Sequence, residues 1–357
     1  MTKTKLKKNL FLKKIKKNFD FSILNYDNFS ASKYWTDSIL RKKKLFNINR
    51  LDNFRNNGLS KNIDEDYINK KQSEKYFKEL LRDHNFNKIK KFLNKKNIGN
   101  SKNMNFYKGY QYSVSDLFLI KYLFDIQTKI NFKNIKIICE IGQGFGLLAS
   151  KFLTIKKFKY VMIDLPESNF ITAYYLKKKF PKAKIVQDID LKNNIITKKD
   201  LEYADIFIIS PWIKFIDLKV DLFINTRSMM EMTYKSIKEY FKLINNNIAS
   251  NGYFLCVNRY YKDLVGYPVE LHLYPFENYW KVIISKISWK QSHIHFLLLK
   301  NSLKKNLEFK HELKKIKKIY IQLLSNDKFF LRRYLPIFIY RYYKIVKFSF
   351  SKFKNFF

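Results

Sequence analysis

The chain has 357 residues, enough for one large core with appendages or for two domains, and its 46% hydrophobic and 18% aromatic content excludes global disorder. A formal charge of +41 suits a nucleic-acid partner at first sight, but only nine of the 71 basic residues are Arg, and Lys is abundant beside Asn, Ile, Phe and Tyr throughout. That is compositional drift rather than a selected face, and no helix-turn-helix, zinc-finger or RNP-like pattern accompanies it, so no nucleic-acid partner is expected.

The first 17 residues carry eight Lys without an uninterrupted apolar stretch, so neither a secretory signal nor a spanning helix is expected there. Residues 1–105 are rich in Lys and Asn. They hold helical stretches such as Tyr67–Leu93, where Tyr76, Leu80, Leu81 and Phe86 recur near helical spacing, but no chemical motif. In YKGYQYSVSDLFLIKYL, Gly109 marks a turn, and Ser113 or Ser115 caps a helix.

From Lys136 short apolar runs alternate with amphipathic stretches: IKIICEI, FGLLASKFLTI, KYVMIDL, PESNFITAYYLKKKF and AKIVQD, then DIFIIS, VDLFINT, a helix from about Met229 to Ile248, and YFLCVNR. Pro166 fits a first helical turn, and Pro181 stops the same helix. Runs apolar on both faces and separated by helices predict a parallel sheet covered on both sides. Val282–Ile287 and His293–Leu299 predict a terminal hairpin. Beyond Lys300 there are fifteen Lys and Arg against three acidic residues, predicting helices around the domain. The apolar, aromatic stretch Phe329–Phe350 reads first as a terminal helix packed on its own domain, and second as a contact with an anionic membrane face.

Three of the eight glycines, Gly142, Gly144 and Gly146, fall within five residues. They follow a predicted strand and open a predicted helix, the context of a nucleotide-type loop. The third position of a dinucleotide loop is Leu147, a poor fit. The pattern that fits is E-x-G-x-G-x-G with Glu140 at the strand end, where an acid suits a cationic ligand such as S-adenosylmethionine. Asp164, with Leu165 beside it, closes the second run, where an acid accepts ribose hydroxyls. Asp188 ends AKIVQD and is either the partner of an adenine amino group or a polar loop residue.

The segments CEIGQGFGLLA, YVMIDLPES, DLFINTRSMMEM and YFLCVNR resemble the family of bacterial sugar O-methyltransferases, over roughly residues 105–300. The combination of IDLPE with N-x-x-S-x-x-E-M is more specific than the glycine loop. This resemblance implies S-adenosylmethionine as cofactor and a sugar of a surface-glycan precursor as substrate. It places Glu140, the three loop glycines and Asp164 at the cofactor, and Asn225, Ser228 and Glu231 on the stretch facing the site.

Methyl transfer to a sugar hydroxyl calls for a general base or a metal. Glu231 is one candidate base, although Ser228-x-x-Glu231 also reads as a capping box. His272, in a loop, is the other, with a surface role as its alternative. Arg259 is placed to orient an acidic sugar. Tyr274, Tyr279 and Trp280 form either a stacking wall or core packing. His293 and His295 share a strand face, but without a third ligand no metal is expected. Cys139 and Cys256 fall on strands separated by another strand and are expected to stay unpaired.

The resulting expectation is a Rossmann-like class I methyltransferase fold: a mostly parallel seven-stranded sheet with an antiparallel last strand and helices on both faces. Residues 1–105 form a helical N-terminal region, 106–300 the methyltransferase domain and 301–357 a basic aromatic tail. The cytoplasm is the expected location, and contact of the tail with the inner membrane face is the second reading. A small-metabolite methyltransferase and a non-catalytic cofactor-binding scaffold in glycan assembly are the alternatives. An RNA methyltransferase has only net charge in its favour.

Overall fold

The computed structural model describes residues 3–26, 35–37, 43–60, 70–277, 279–302 and 306–325. The stretch Phe329–Phe350 and the first three residues of Tyr67–Leu93 lie outside them. Among the described residues no helix is long and apolar enough to cross a membrane.

Helix α1 spans Lys3–Leu24, α2 spans Lys70–Asp83 and α3 spans Phe86–Lys90. A short hairpin follows, β1 (Asn105–Tyr107) and β2 (Tyr110–Tyr112), turning through Lys108 and Gly109, both at positive φ. Helix α4 (Val114–Gln127) then starts at a complete capping box: the Ser113 side chain accepts from Asp116 N–H and the Asp116 side chain accepts from Ser113 N–H.

The central βα succession is β3 (Ile137–Ile141), α5 (Leu147–Ile155), β4 (Lys159–Ile163), α6 (Pro166–Lys179), β5 (Ile185–Gln187), β6 (Ile195–Thr197), α7 (Lys198–Tyr203), β7 (Ile206–Ile209), β8 (Lys214–Ile216) and β9 (Val220–Thr226). Pro166 is the first residue of α6, and the helix is capped at Phe180, just before Pro181. Then come α8 (Tyr234–Asn247), β10 (Ile248–Arg259), the small pair β11 (Tyr261–Asp263) and β12 (Pro268–Glu270), the hairpin β13 (Trp280–Ser288) and β14 (Gln291–Asn301), and α9 (Leu307–Ser325).

The main sheet runs β13-β14-β10-β9-β3-β4-β7-β5, with only β14 antiparallel to its neighbours. It therefore has eight strands rather than the seven expected, since each of the six apolar runs from IKIICEI to YFLCVNR and both strands of the terminal hairpin pair into it. Cys139 on β3 and Cys256 on β10 are buried, free and separated by β9, as expected.

Strand alternation divides the sheet into two faces. Ile138, Met162, Ile208, Ile224, Val257 and Phe296 pack with α4, α5 and α6, whereas Cys139, Val161, Phe207, Phe223, Cys256 and Leu297 pack with α8 and α9. The described N-terminal residues belong to the first of these layers. Ile15 and Phe19 of α1, with Leu51 and Phe54, share a core with Phe170 of α6 and Phe145 of the glycine loop. Phe309, Ile316 and Tyr320 place α9 in the second layer.

Candidate functional site

The site is built where β3 and β4 end. Gly142, Gly144 and Gly146 have φ of 75°, 60° and 84°, a region that L side chains rarely adopt. At Gly142 the need is also steric, since a Cβ there would stand 1.9 Å from Ser228 Oγ. Gly144 N–H donates to Asp164 Oδ2 at 2.9 Å, and its carbonyl accepts from Thr172 Oγ1 at 2.8 Å. Gly146 opens α5 without a side-chain cap. The loop is thus pinned to the end of β4, to α6 and to the exit of β9.

Three carboxyls line the resulting cleft, Glu140 and Asp164 at the strand ends and Glu231 beyond β9. Alternation turns Glu140 toward the α4–α6 layer, where it is 1% exposed and accepts from Tyr160 Oη at 2.8 Å. Burial raises its pKa to about 8; the Tyr160 bond opposes that shift and the Asp164 charge adds to it. Burial likewise raises Asp164 to about 7, against bonds from Leu165 N–H, Gly144 N–H and Ser168, with the Glu231 charge adding. Among the described residues no Lys, Arg or His pairs with Glu140 or Asp164. Leu165 and Ser168 continue the wall beside Asp164, while Ser115, Phe118, Leu119 and Tyr122 of α4 supply the facing wall.

The exit of β9 forms the third side. Asn225 is fully buried: its Nδ2 donates to Ile141 O at 2.9 Å and to Ser228 Oγ at 2.6 Å, and its Oδ1 accepts from Asn258 Nδ2 at 2.8 Å. It holds the loop rather than facing a ligand, and Ser228 and Glu231 are the members of the motif that line the cleft. The capping reading of Ser228 and Glu231 does not hold. The residues Met229–Glu231 form a 3-10 turn, α8 begins only at Tyr234 under the side-chain cap of Thr233, and Glu231 is ion-paired with Lys262.

Other expected site residues lie elsewhere. Asp188 is buried away from the cleft lining, where it accepts from Ser22 Oγ of α1 at 2.6 Å and from the Ser210 hydroxyl and amide. His272 sits after β12, 3.5 Å from Glu270 and against the Tyr320 ring of α9, also off the cleft. Trp280 and Tyr274 are core residues. His295 is buried with both ring nitrogens engaged, by Tyr260 Oη at 3.0 Å and Ser285 Oγ at 2.8 Å. Among the described residues no group of three His, Cys, Asp or Glu could hold a metal. Arg259 lies at the end of β10, outside the lining of the cleft.

Sequence reasoning missed Tyr160, Lys262, Arg227, Asn258 and the α4 wall. Of these only Asn258 carried a local signal, as a polar residue in the apolar run YFLCVNR. Arg227 lines the cleft from a left-handed backbone, φ 63°.

No protein-family profile and no curated protein matches the chain. Among solved structures it is similar to the mitomycin 7-O-methyltransferase MmcR, at 11% identity over 53% of this chain and 57% of that one, with a TM-score of 0.35. It is similar to M. capricolum TrmK in complex with S-adenosyl-homocysteine (14% identity, 66% and 95% of the two chains, TM-score 0.37). It is also similar to human N-acetylserotonin methyltransferase in complex with SAM (14% identity, 52% and 56%, TM-score 0.31). The match spans a little over half the length of the first and third of these. At such values the chemistry of the cleft rests on its own residues. By its own strand order and layers the chain has a Rossmann-like α/β fold, with a mixed sheet, helices on both faces and helical extensions at both ends.

Proposed function

We propose that the chain is an S-adenosylmethionine-dependent methyltransferase acting on a hydroxyl of a small acceptor. One observation carries this reading: a buried carboxyl, Glu140, and a half-buried one, Asp164, neither with a cationic partner among the described residues, flank a loop of three left-handed glycines at the carboxyl ends of parallel strands. Acids of this kind fit a ligand that brings its own positive charge and hydroxyl donors. Glu140 then holds the cofactor's cationic amino group, Asp164 accepts from its ribose, and Leu165 gives its base an apolar wall. Bound there, the cofactor supplies an electrophilic methyl group.

Glu231 is the carboxylate placed to take the acceptor's proton. Lys262 holds it in position, and its charge already acts on Asp164 across the cleft. A small metabolite is the acceptor class favoured by the aromatic and aliphatic wall of Phe118, Leu119 and Tyr122. The sugar of a surface-glycan precursor is favoured by the IDLPE and N-x-x-S-x-x-E-M motifs.

Calorimetric titration with S-adenosylmethionine and S-adenosylhomocysteine tests the proposal. Micromolar binding lost in Gly144→Asp and Asp164→Ala is the expected result. No binding by folded wild-type protein overturns it, and binding without transfer to any acceptor leaves a non-catalytic scaffold.

A further inference from the structure

We propose that the cofactor's base is held by stacking on Trp35 and is not read by a carboxylate, so that the site tolerates a change at the purine's amino group. The inference rests on the methyltransferase reading and deepens it.

The acid in position to read that amino group is used up within the chain. Asp188, which follows β5, is 1% exposed; its Oδ1 accepts from Ser210 N–H at 2.9 Å, and its Oδ2 accepts from Ser22 Oγ at 2.6 Å and from the Ser210 hydroxyl. Helix α1 covers the same turn at two further points. Asn18 Oδ1 accepts from Ile189 N–H at 3.1 Å, and Lys14 pairs with Asp190 at 2.5 Å. The end of α1 therefore sits over the carboxyl ends of β5 and β7, on the side of β4 away from β9, and neither Asp188 nor Ser210 lines the cleft.

From there the N-terminal chain reaches the cleft. Tyr26, two residues past α1, is buried; burial first, and then the charges of Glu167 and Asp164, raise its hydroxyl, while Thr36 beside it opposes the rise. Trp35, the neighbour of Thr36, is half-buried and lines the cleft together with Asp164, Leu165 and Ser168. Of the four tryptophans it alone does so: Trp280 is a core residue, and Trp212 and Trp289 lie outside the lining. Its indole thus stands at the end of the cleft where Asp164 takes the ribose, and the base adjoins the ribose. The opposite end, at Glu231 and Lys262, is left to the acceptor.

An indole offers a flat apolar face, and stacking is indifferent to the groups on a base's edge because every base has a π-face. A site built to hydrogen-bond that edge rejects an analogue lacking its partner by orders of magnitude. With Asp188 engaged elsewhere, the stacked face rather than the amino edge holds the base.

The test titrates the full chain with S-adenosylhomocysteine, 5′-methylthioadenosine and S-inosylhomocysteine, read by calorimetry and by tryptophan fluorescence. S-Adenosylhomocysteine should quench the wild-type fluorescence. Trp35→Phe, which keeps a ring, should abolish the quenching yet bind within about threefold of wild type, whereas Trp35→Leu should weaken S-adenosylhomocysteine and 5′-methylthioadenosine alike by about fivefold or more. S-Inosylhomocysteine, with an oxo group in place of the amino group, should bind wild type within about threefold of S-adenosylhomocysteine. Unchanged affinity in Trp35→Leu, an equal loss in Trp35→Phe, or a loss that spares 5′-methylthioadenosine overturns the stacking role. Rejection of S-inosylhomocysteine by more than about tenfold shows that the edge is read, and overturns the tolerance. No binding of S-adenosylhomocysteine by folded wild type fails the methyltransferase reading itself, whereas binding that ignores Trp35 fails this inference alone.

Discussion

Ligand binding at Glu140 and Asp164 should be tightly coupled to pH. Glu140 and Asp164 titrate as a pair near pH 8 and pH 7 in the ligand-free protein. A cationic, hydroxyl-bearing ligand needs both ionised, so binding must displace their protons. From pKa values of about 8 and 7, roughly two protons are released per ligand at about pH 6 and roughly one at about pH 7.5. The same values give an affinity gain of about 200-fold over that interval, equivalent to ~3 kcal/mol.

Calorimetric titration of S-adenosylhomocysteine in two buffers of different ionisation enthalpy reads both quantities. Glu140→Gln leaves only Asp164 to titrate and should reduce the gain to about 8-fold. An affinity that changes less than threefold across the interval, with no proton release, refutes the reasoning. Stability of the ligand-free protein provides a second reading of the same shifts. Each folded pKa lies above its unfolded value, so the folded state keeps protons that the unfolded chain gives up. The contribution is complete below about pH 4 and is lost as pH rises through about 7 and 8.

Two substitutions test the frame around the site. Lys151 is wholly buried; its Nζ donates to Phe92 O at 2.6 Å and pairs with Asp116. Burial alone would raise Asp116, but the charge and hydrogen bond of Lys151 outweigh it and hold the carboxyl at about 2. Lys151→Met should therefore cost about 3–5 kcal/mol in urea unfolding, with part recovered by Asp116→Asn, which keeps a capping side chain; a loss below about 1 kcal/mol would contradict this account. Gly142→Ala drives a Cβ into Ser228 Oγ at a positive φ and should cost about 1–3 kcal/mol and at least tenfold in cofactor affinity. Unchanged affinity there would remove the glycine loop from the binding site.

Features decided within a few residues were legible in the sequence. The glycine loop, the cap at Ser113, the first-turn Pro166, the buried strands, the terminal hairpin and the unpaired cysteines all follow from local pattern. What was not legible depends on partners far along the chain. Asp188 has the strand-end position of a ligand contact, but Ser22 and Ser210 reach it first. Glu231 has the spacing of a capping box, but a 3-10 turn and Lys262 redirect it. His272 reads as a loop residue because the α9 helix that covers it lies some forty residues on in the chain. The strand order, in which β7 enters between β4 and β5, is a crossover that periodicity does not encode.

The sharing of one core by α1, Leu51 and Phe54 with the central sheet has a kinetic consequence. Ser22 meets Asp188 across 166 positions, and Tyr122 meets Gln291 across 169. Contacts so distant in sequence close late and slow the search for the native state. During synthesis the apolar side of α1, with Ile15 and Phe19, emerges before the α6 surface it packs against exists, and it must stay soluble in the meantime. Phe54 and Arg55 press on the ring of Phe145 inside the glycine loop, at 5.5 Å and 5.3 Å. The ligand loop therefore acquires its final packing only when the segment holding Phe54 and Arg55 docks, which makes assembly of the binding site one of the last events of folding.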